Sequence, residues 1–213
     1  MKRKVKTKVK GFRTTDGAGV KLVRVLGNLT TKEFDPILML DSFDSINPDD
    51  YTAGFPMHPH RGIETISYVS RGKMVHRDSL GNEAGISDGE VQWMNSGSGI
   101  MHEEMVPAAE RLLGVQLWLN LPAKDKMSKP SYNSIKNEDI KEIEIEGGKI
   151  RLLAGKYGEH EGYKGDYLSM DYYDIHLNAD AEVTLTMEED DSVMVFTPVS
   201  YTHLRAHETS LHL

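Results

Sequence analysis

Apolar and polar residues alternate along most of the chain from Val20 onward, and glycine, aspartate and asparagine interrupt the alternation at short intervals. Successive side chains of an extended strand point to opposite faces of a sheet, so this pattern predicts short β-strands joined by tight turns. Helical periodicity is scarce. The predicted strands cover residues 22–26, 37–40, 62–69, 73–78, 114–121, 150–153 and 172–177.

Two pairs of runs predict hairpins. Gly147 and Gly148 separate the alternating runs 140–146 and 149–154, which is typical of a tight two-residue turn. The runs 181–187 and 193–196 flank the acidic stretch EEDDS and predict a second hairpin. Many short antiparallel strands indicate an all-β sandwich or barrel.

The composition changes near Pro122, where AKDKMSKPSYNS is polar and loop-like. This change predicts a first unit over residues 1–121 and a shorter second β unit over residues 122–198.

The chain has 213 residues, 25 lysines and arginines against 33 aspartates and glutamates, and a formal net charge of −8. The acidic balance argues against a dedicated nucleic-acid binder. No apolar stretch is long enough for a membrane span or a signal peptide, so a cytoplasmic protein is expected. The absence of cysteine excludes disulfides, thiolate zinc sites and iron–sulfur clusters, so any metal must be held by histidine and carboxylate.

The first ten residues form a basic exception. They are either a polybasic arm or a solvated edge strand in which lysines alternate with Val5, Thr7 and Val9. The period-two spacing favours the edge strand, because charged side chains protect such an edge from aggregation.

Residues 54–72 and 88–105 carry the most informative chemistry. His58 and His60 are two residues apart, so on an extended backbone they share one face, and His102 and Glu104 repeat this spacing. On neighbouring antiparallel strands the two pairs would converge as three imidazoles and one carboxylate, a ligand shell for a divalent metal ion. A lone His-x-His pair is more typical of exposed strand histidines.

The surrounding turn residues favour the metal site over that alternative. Gly97-Ser98-Gly99 lets the backbone bend sharply just before His102. Pro59 removes a backbone donor between the two histidines, which predicts an edge strand or a bulge.

The spacing Gly-x3-His-x-His-x3-Glu-x7-Gly, followed by a glycine-rich turn and a third histidine, resembles the cupin superfamily. More narrowly, HPHRGIETISYV, GEVQWMNSGSGIMHEEM and VQLWLNLPAKDKM resemble the pirin family, with similarity across residues 1 to about 198. The resemblance implies two tandem jelly-roll barrels, in which only the first binds metal, commonly iron. The second barrel is expected to be truncated. The resemblance also implies that His58, His60, His102 and Glu104 are the ligands.

Some bacterial pirins show quercetin 2,3-dioxygenase activity. The resemblance therefore predicts a metal-dependent dioxygenase that opens a flavonol ring with O2, with Fe(II) as the expected metal and Mn, Ni, Cu, Zn or Co as alternatives. Glu104 is the expected base toward the substrate hydroxyl. An animal member is a nuclear co-regulator, so the alternative is a non-enzymatic, redox-responsive metal protein that acts through protein partners.

Several neighbours of the motif invite a functional interpretation. Many cupins use the glutamate of the first motif, here Glu64, as a ligand, but the spacing favours Glu104. Glu64 then either orients an imidazole or Arg61, or is a solvated strand charge. Glu103 should point to the opposite face. Seven apolar residues either line a substrate pocket or fill the core: Phe55, Met57, Met74, Trp93, Met94, Met101 and Met105.

Trp118 lies in an alternating strand and is expected to be structural. His160 and His176 are isolated in the second unit, which is therefore expected to be a metal-free scaffold or one wall of a cavity between domains.

The C-terminal segment 199–213 needs a separate interpretation. Its His203 and His207 have a spacing that zinc sites on helices use. However, residues 199–209 resemble the in-frame translation of a sequencing adapter. We therefore expect 199–213 to be a non-native tail that lies loosely on the surface or forms a poorly packed extension.

Overall fold

The computed structural model describes residues 5–198 and 210–212, and these are built almost entirely of β-strands. The strands are β1 (Thr7–Lys8), β2 (Phe12–Asp16), β3 (Val20–Leu26), β4 (Ile37–Ser45), β5 (Phe55–His60), β6 (Ile63–Arg71), β7 (Lys73–Asp78), β8 (Glu83–Ser87), β9 (Glu90–Asn95), β10 (Ile100–Met105), β11 (Leu112–Asn120), β12 (Ser131–Ile135), β13 (Lys141–Ile145), β14 (Gly148–Ala154), β15 (Lys156–Tyr157), β16 (His160–Glu161), β17 (Tyr172–Leu177), β18 (Met194–Phe196) and β19 (Ser210–His212). One short helix, α1 (Thr31–Phe34), and two 3-10 turns, Pro48–Asp50 and Ala123–Asp125, complete the described elements. None of the helices in this described part is long and apolar enough to cross a membrane.

Two antiparallel sheets form the larger unit. The seven-stranded sheet has the order β12-β9-β6-β11-β4-β3-β2, and the four-stranded sheet has the order β5-β10-β7-β8. Neighbouring strands in both sheets are often distant in sequence, as in a jelly roll. β5 is an edge strand, which confirms the position predicted from Pro59.

Side-chain alternation on β6 shows why the larger sheet is buried on both faces. Ile66 and Tyr68 pack into a core cluster that includes Leu153 from the C-terminal part of the chain. Val69, of opposite parity, packs with Met74 of the four-stranded sheet in a second cluster. One face of the sheet therefore supports the C-terminal segments, and the other faces the smaller sheet.

The C-terminal part contains a three-stranded sheet, β13-β14-β17, and the small hairpin of β15 and β16. β13 and β14 pair across Gly147, as the sequence predicted. β12 pairs with β9 and therefore lies in the larger sheet, although it follows the predicted boundary at residue 121. The all-β class with tandem jelly-roll units is confirmed, and the second unit has fewer strands than the first; the exact division between domains stays a prediction.

The second predicted hairpin is wrong. Residues 181–187 form no strand, and β18 pairs instead with β19, which pairs in turn with β1. An alternating run forms a strand only where a neighbour accepts its backbone hydrogen bonds, and the described chain offers residues 181–187 no such partner. β1 lies at an edge, as the lysine pattern indicated. His203 and His207 lie outside the described residues, and the non-native origin of 199–213 stays a prediction.

Candidate metal centre

Three histidines from two neighbouring strands meet inside the larger unit. The register of β5 and β10 places His102 directly opposite His58, and His60 lies two residues further along β5. The candidate ligand atoms of these three side chains all lie within 4.8 Å of one another. The Nε2 atoms of His58 and His60 are 3.0 Å apart. The structure thus brings together three of the four predicted ligands.

The surroundings of one buried nitrogen in this cluster indicate what the site could hold. Nε2 of His102 is buried and has no hydrogen-bond partner among the described residues. Leaving a buried polar atom unpaired is costly, so native proteins seldom do it without a reason. A cation bound between the imidazoles would supply the missing interaction, and the donor set of ring nitrogens suits a divalent transition metal. The residues present therefore fit a metal ion.

Burial keeps His60 and His102 in their ligating, neutral form. It lowers the pKa of His102 to about 2, and the neighbouring imidazoles His58, His60 and His76 add to the shift. Burial and the nearby His58 lower the pKa of His60 to about 4. Because only a neutral imidazole has a lone pair for a metal, these environments favour binding without prior loss of a proton.

Glu104 lies one β-bulge beyond His102, and its carboxylate is fully buried. Gln116 donates from Nε2 to one carboxylate oxygen at 2.8 Å, and Gln92 donates to the other. Burial raises the pKa of Glu104, although the Gln116 hydrogen bond opposes the change. Within the described residues, the cluster of ligand atoms contains only the three histidines. Glu104 as the fourth ligand therefore stays a prediction.

Sequence reasoning missed the polar side chains that hold Glu104. Ser67, Gln92 and Gln116 are all buried, and both glutamines also donate to the Ser67 hydroxyl, at 3.3 and 3.0 Å. A signal was available, because each is a polar residue inside an otherwise apolar strand. Val91 and Val115, which precede the glutamines, pack into the core on the opposite face of the sheet. Alternation therefore turns both glutamines toward the metal site.

Trp118 is also part of this site. Its ring makes an edge contact with the imidazole of His60, with centroids 4.8 Å apart. The expectation of a purely structural role is therefore incomplete, because the strand parity that buries Leu117 and Leu119 on one face turns Trp118 to the other.

The two interpretations offered for Glu64 are both wrong. Its side chain is neither solvated nor paired with Arg61 or an imidazole, but is buried and accepts a hydrogen bond from Trp93 Nε1 at 3.0 Å. Glu64 has the same parity on β6 as Ile66, so it faces the core shared with the C-terminal segments. Glu103 points away from the cluster and forms an ion pair with Arg77 at 3.5 Å.

The seven apolar candidates divide into two groups. Four are buried: Phe55, Met74, Trp93 and Met94. Three remain 40–49% exposed: Met57, Met101 and Met105. In the C-terminal part, His160 is exposed and His176 lies 2.8 Å from the carboxylate of Asp174.

Two glycines allow the backbone to approach the site. Gly54 has φ +64°, and a Cβ there would lie 2.8 Å from the backbone oxygen of Glu104. Gly97 has φ +42°, and a Cβ there would lie 2.1 Å from the backbone oxygen of Ser128. A larger residue at position 54 would push this turn away from β10, which carries both His102 and Glu104, and one at position 97 would collide with the backbone of Ser128.

Comparison with known proteins places this site in a family. The pirin family profile matches residues 19–119. A pirin-like protein of Caulobacter vibrioides is 41% identical over 191 residues, which cover 88% of this chain and 69% of that protein. Human pirin is 37% identical over 155 residues, covering 72% of this chain and 52% of that protein.

Two crystal structures show the same fold. A protein from Geobacillus kaustophilus superposes with a TM-score of 0.71 at 27% identity, covering 90% of this chain and 71% of that one. A quercetin 2,3-dioxygenase from Acinetobacter baumannii superposes with a TM-score of 0.68, also at 27% identity, covering 90% and 66%. With its histidine cluster on adjacent jelly-roll strands, this chain belongs to the pirin family.

Proposed function

We propose that the protein is a cytoplasmic, metal-dependent dioxygenase of the quercetin 2,3-dioxygenase type. Its metal would be held by His58, His60, His102 and Glu104. The observation that carries the proposal is Nε2 of His102, which is buried beside two further imidazoles and has no hydrogen-bond partner in the part of the chain that the structure describes. The likeness to an Acinetobacter baumannii quercetin 2,3-dioxygenase supports a small aromatic substrate and O2 as co-substrate.

The donor set narrows the choice of metal. Three imidazoles and one carboxylate are borderline to hard ligands, which suit Fe(II), Mn, Co, Ni, Cu or Zn. The resemblance to pirins, which commonly bind iron, favours Fe(II) among these. When bound, the metal would supply an open coordination position and the redox chemistry between flavonol and O2.

Glu104 is the residue proposed to take the proton from the flavonol 3-hydroxyl. Burial raises its pKa, which makes the carboxylate a stronger base than an exposed glutamate. The Gln92 and Gln116 amides each occupy one carboxylate oxygen and fix its orientation. Each oxygen has further lone pairs, so Glu104 can keep the hydrogen bonds from both glutamine amides while it contacts the metal or the substrate.

The test is oxygen uptake with quercetin after separate loading with each of the six metals. We expect uptake that rises with bound metal and is lost in His60→Ala, which removes a ligand. Stoichiometric metal binding without uptake, across several flavonols and all six metals, would contradict the enzyme and support the regulatory alternative.

A second pair of variants tests the base. Glu104→Gln should lower turnover by roughly 10²- to 10⁴-fold, the usual contribution of a positioned base. Glu103→Gln is the matched control, since Glu103 contacts Arg77 on the far face and should keep full turnover. Full metal content and full turnover in Glu104→Gln would exclude the role of Glu104 as base.

A further inference from the structure

A chain of buried polar side chains continues from the metal site into the four-stranded sheet. Nδ1 of His102 lies 3.3 Å from Nδ1 of His76, and Nε2 of His76 lies 2.9 Å from Oδ2 of Asp78. His76 is completely buried, and both it and Asp78 lie on β7 beside the strand that carries His102. Nothing in the proposed reaction uses either residue.

At the Asp78 end of this series of side chains, the direction of the hydrogen bonds is defined. Oδ1 of Asp78 accepts the backbone N–H groups of Leu80 at 2.9 Å and Asn82 at 3.1 Å. Oδ2 accepts the side-chain amide of Asn82 at 2.8 Å. A carboxylate surrounded by donors in this way only accepts, so Nε2 of His76 must donate to it.

The direction of these hydrogen bonds determines which ring nitrogen of His102 carries the proton. In a neutral imidazole one ring nitrogen donates and the other accepts, so a His76 that donates from Nε2 accepts at Nδ1. His102 must then donate from Nδ1, which leaves the lone pair on its Nε2. This is the buried nitrogen that has no partner within the described residues.

We propose that Asp78 and His76 are positioning residues that fix the tautomer of His102, so that its Nε2 lone pair points into the metal site. The proposal rests on the proposed function only in naming Nε2 as a ligand. The tautomer itself is a property of the metal-free protein.

Packing holds the ring of His76 in place. The ring of His76 stacks on Tyr132 of β12 with a centroid distance of 4.0 Å and an angle of 12° between the planes. His58 uses a simpler device of the same kind, because its Nδ1 lies 2.8 Å from the backbone oxygen of Pro56. A carbonyl oxygen only accepts, so it too leaves the lone pair on Nε2 of His58, the nitrogen that lies 3.0 Å from Nε2 of His60.

Asp78→Asn is the decisive variant because it should reverse the direction of the hydrogen bonds that join residue 78, His76 and His102. The two backbone donors hold the oxygen of the new amide at the Oδ1 position, so the amide nitrogen faces His76. His76 must then accept at Nε2 and donate from Nδ1, and His102 must accept at Nδ1 and carry its proton on Nε2. The Asn82 amide can rotate to offer its oxygen to the new donor.

The experiment has two readouts on the folded protein at pH 8. Nitrogen-15 NMR of the metal-free protein should show His102 protonated at Nδ1 in the wild type and at Nε2 in Asp78→Asn. Calorimetric titration with cobalt(II) should show a loss of affinity of about 10- to 100-fold, as is typical when the partner of a ligating histidine is changed. Asp88→Asn is the matched control, since Asp88 accepts the Gly72 N–H in a distant turn, and it should change neither readout.

A second variant keeps the test decisive if Asp78→Asn does not fold. His76→Phe retains a ring to stack on Tyr132 but removes both nitrogens, so the His102 proton should divide between its two positions. The proposal is overturned if wild-type His102 carries its proton on Nε2, if His76 is doubly protonated, or if both folded variants keep the wild-type tautomer and cobalt(II) affinity. Failure of the dioxygenase assay would leave these spectra unchanged, so the two proposals fail independently.

Discussion

The indole of Trp118 meets the imidazole of His60 edge-on, at an angle of 76° between the ring planes. The indole nitrogen also donates to the side-chain oxygen of Gln116 at 3.4 Å, and Gln116 in turn holds Glu104. Trp118 therefore contacts the predicted metal ligand His60 and also the glutamine that binds the predicted base, Glu104.

Trp118→Leu should weaken cobalt(II) binding. An edge-to-face aromatic pair contributes about 0.5–1.5 kcal/mol beyond its buried area, which corresponds to roughly a two- to tenfold loss of affinity when the ring is removed. Trp118→Phe keeps an aromatic edge and should stay closer to the wild type. Titration calorimetry measures both, and equal affinities for the leucine variant and the wild type would show that the contact does not position His60.

The metal site shows what spacing can and cannot predict. The alternation of His58 and His60 places them on one face, and this followed from strand geometry alone. The buried position of Glu64 and the contact of Trp118 with His60 do not follow from spacing, because the strands of both residues are buried on both faces. In such a strand the neighbours of either parity are apolar, and only knowledge of what packs on each face decides which side chain reaches the site.

The same limit applies to the fold. Gly147 with φ +79° forms the turn between β13 and β14, a local feature that the sequence encodes directly. The run 181–187 alternates equally well but forms no strand. Pairing depends on distant segments, and a local pattern contains no information about them.

Glu90→Gln should reduce stability at neutral pH and have less effect in acid. Burial opposes the shift, but hydrogen bonds from Lys136 and the Ser87 backbone lower the pKa of Glu90. A carboxyl whose pKa is depressed on folding stabilises the protein above its unfolded pKa of about 4.3, and this stabilisation is lost as the pH falls through the folded value. Urea unfolding from pH 7 to pH 3 should show the difference between wild type and variant shrinking. Glu138→Gln makes the same change in charge at an exposed position and serves as the control for the loss of charge alone.

Glu64→Gln should show the opposite dependence on pH. Burial raises the pKa of Glu64, and the Trp93 hydrogen bond compensates only in part. A raised folded pKa means that the stabilisation is complete below the unfolded pKa of about 4.3 and is lost as the pH rises through the folded value. Glutamine stays neutral, so the variant should gain stability relative to the wild type between pH 4 and pH 7. Urea unfolding measures this difference in the free energy of unfolding between variant and wild type. A difference that stays constant across this pH range would contradict the raised pKa of Glu64.

Arg151→Met should remove the main hydrogen bonds that attach the C-terminal sheet to the rest of the protein. Arg151 on β14 is buried, and its guanidinium donates to the backbone oxygen of Gly89 at 3.0 Å and to the side-chain oxygen of Asn137 at 2.7 Å. Methionine keeps much of the length and the apolar contacts but leaves the buried backbone oxygen of Gly89 without this donor. Since hydrogen bonds from charged groups contribute about 1.5–3 kcal/mol, we expect a loss of about 2–3 kcal/mol in the free energy of unfolding.

Arg77→Met is the matched control for this loss. Arg77 is exposed and forms ion pairs with Glu83 at 3.1 Å and Glu103 at 3.5 Å, and exposed pairs of this kind contribute at most about 1 kcal/mol. Cobalt(II) affinity should be unchanged in Arg151→Met, because the histidines lie on β5 and β10, away from the anchored turn at Gly89. Equal losses of stability in the two arginine variants would mean that packing of Leu153 and its neighbours, rather than the Arg151 hydrogen bonds, holds the C-terminal sheet in place.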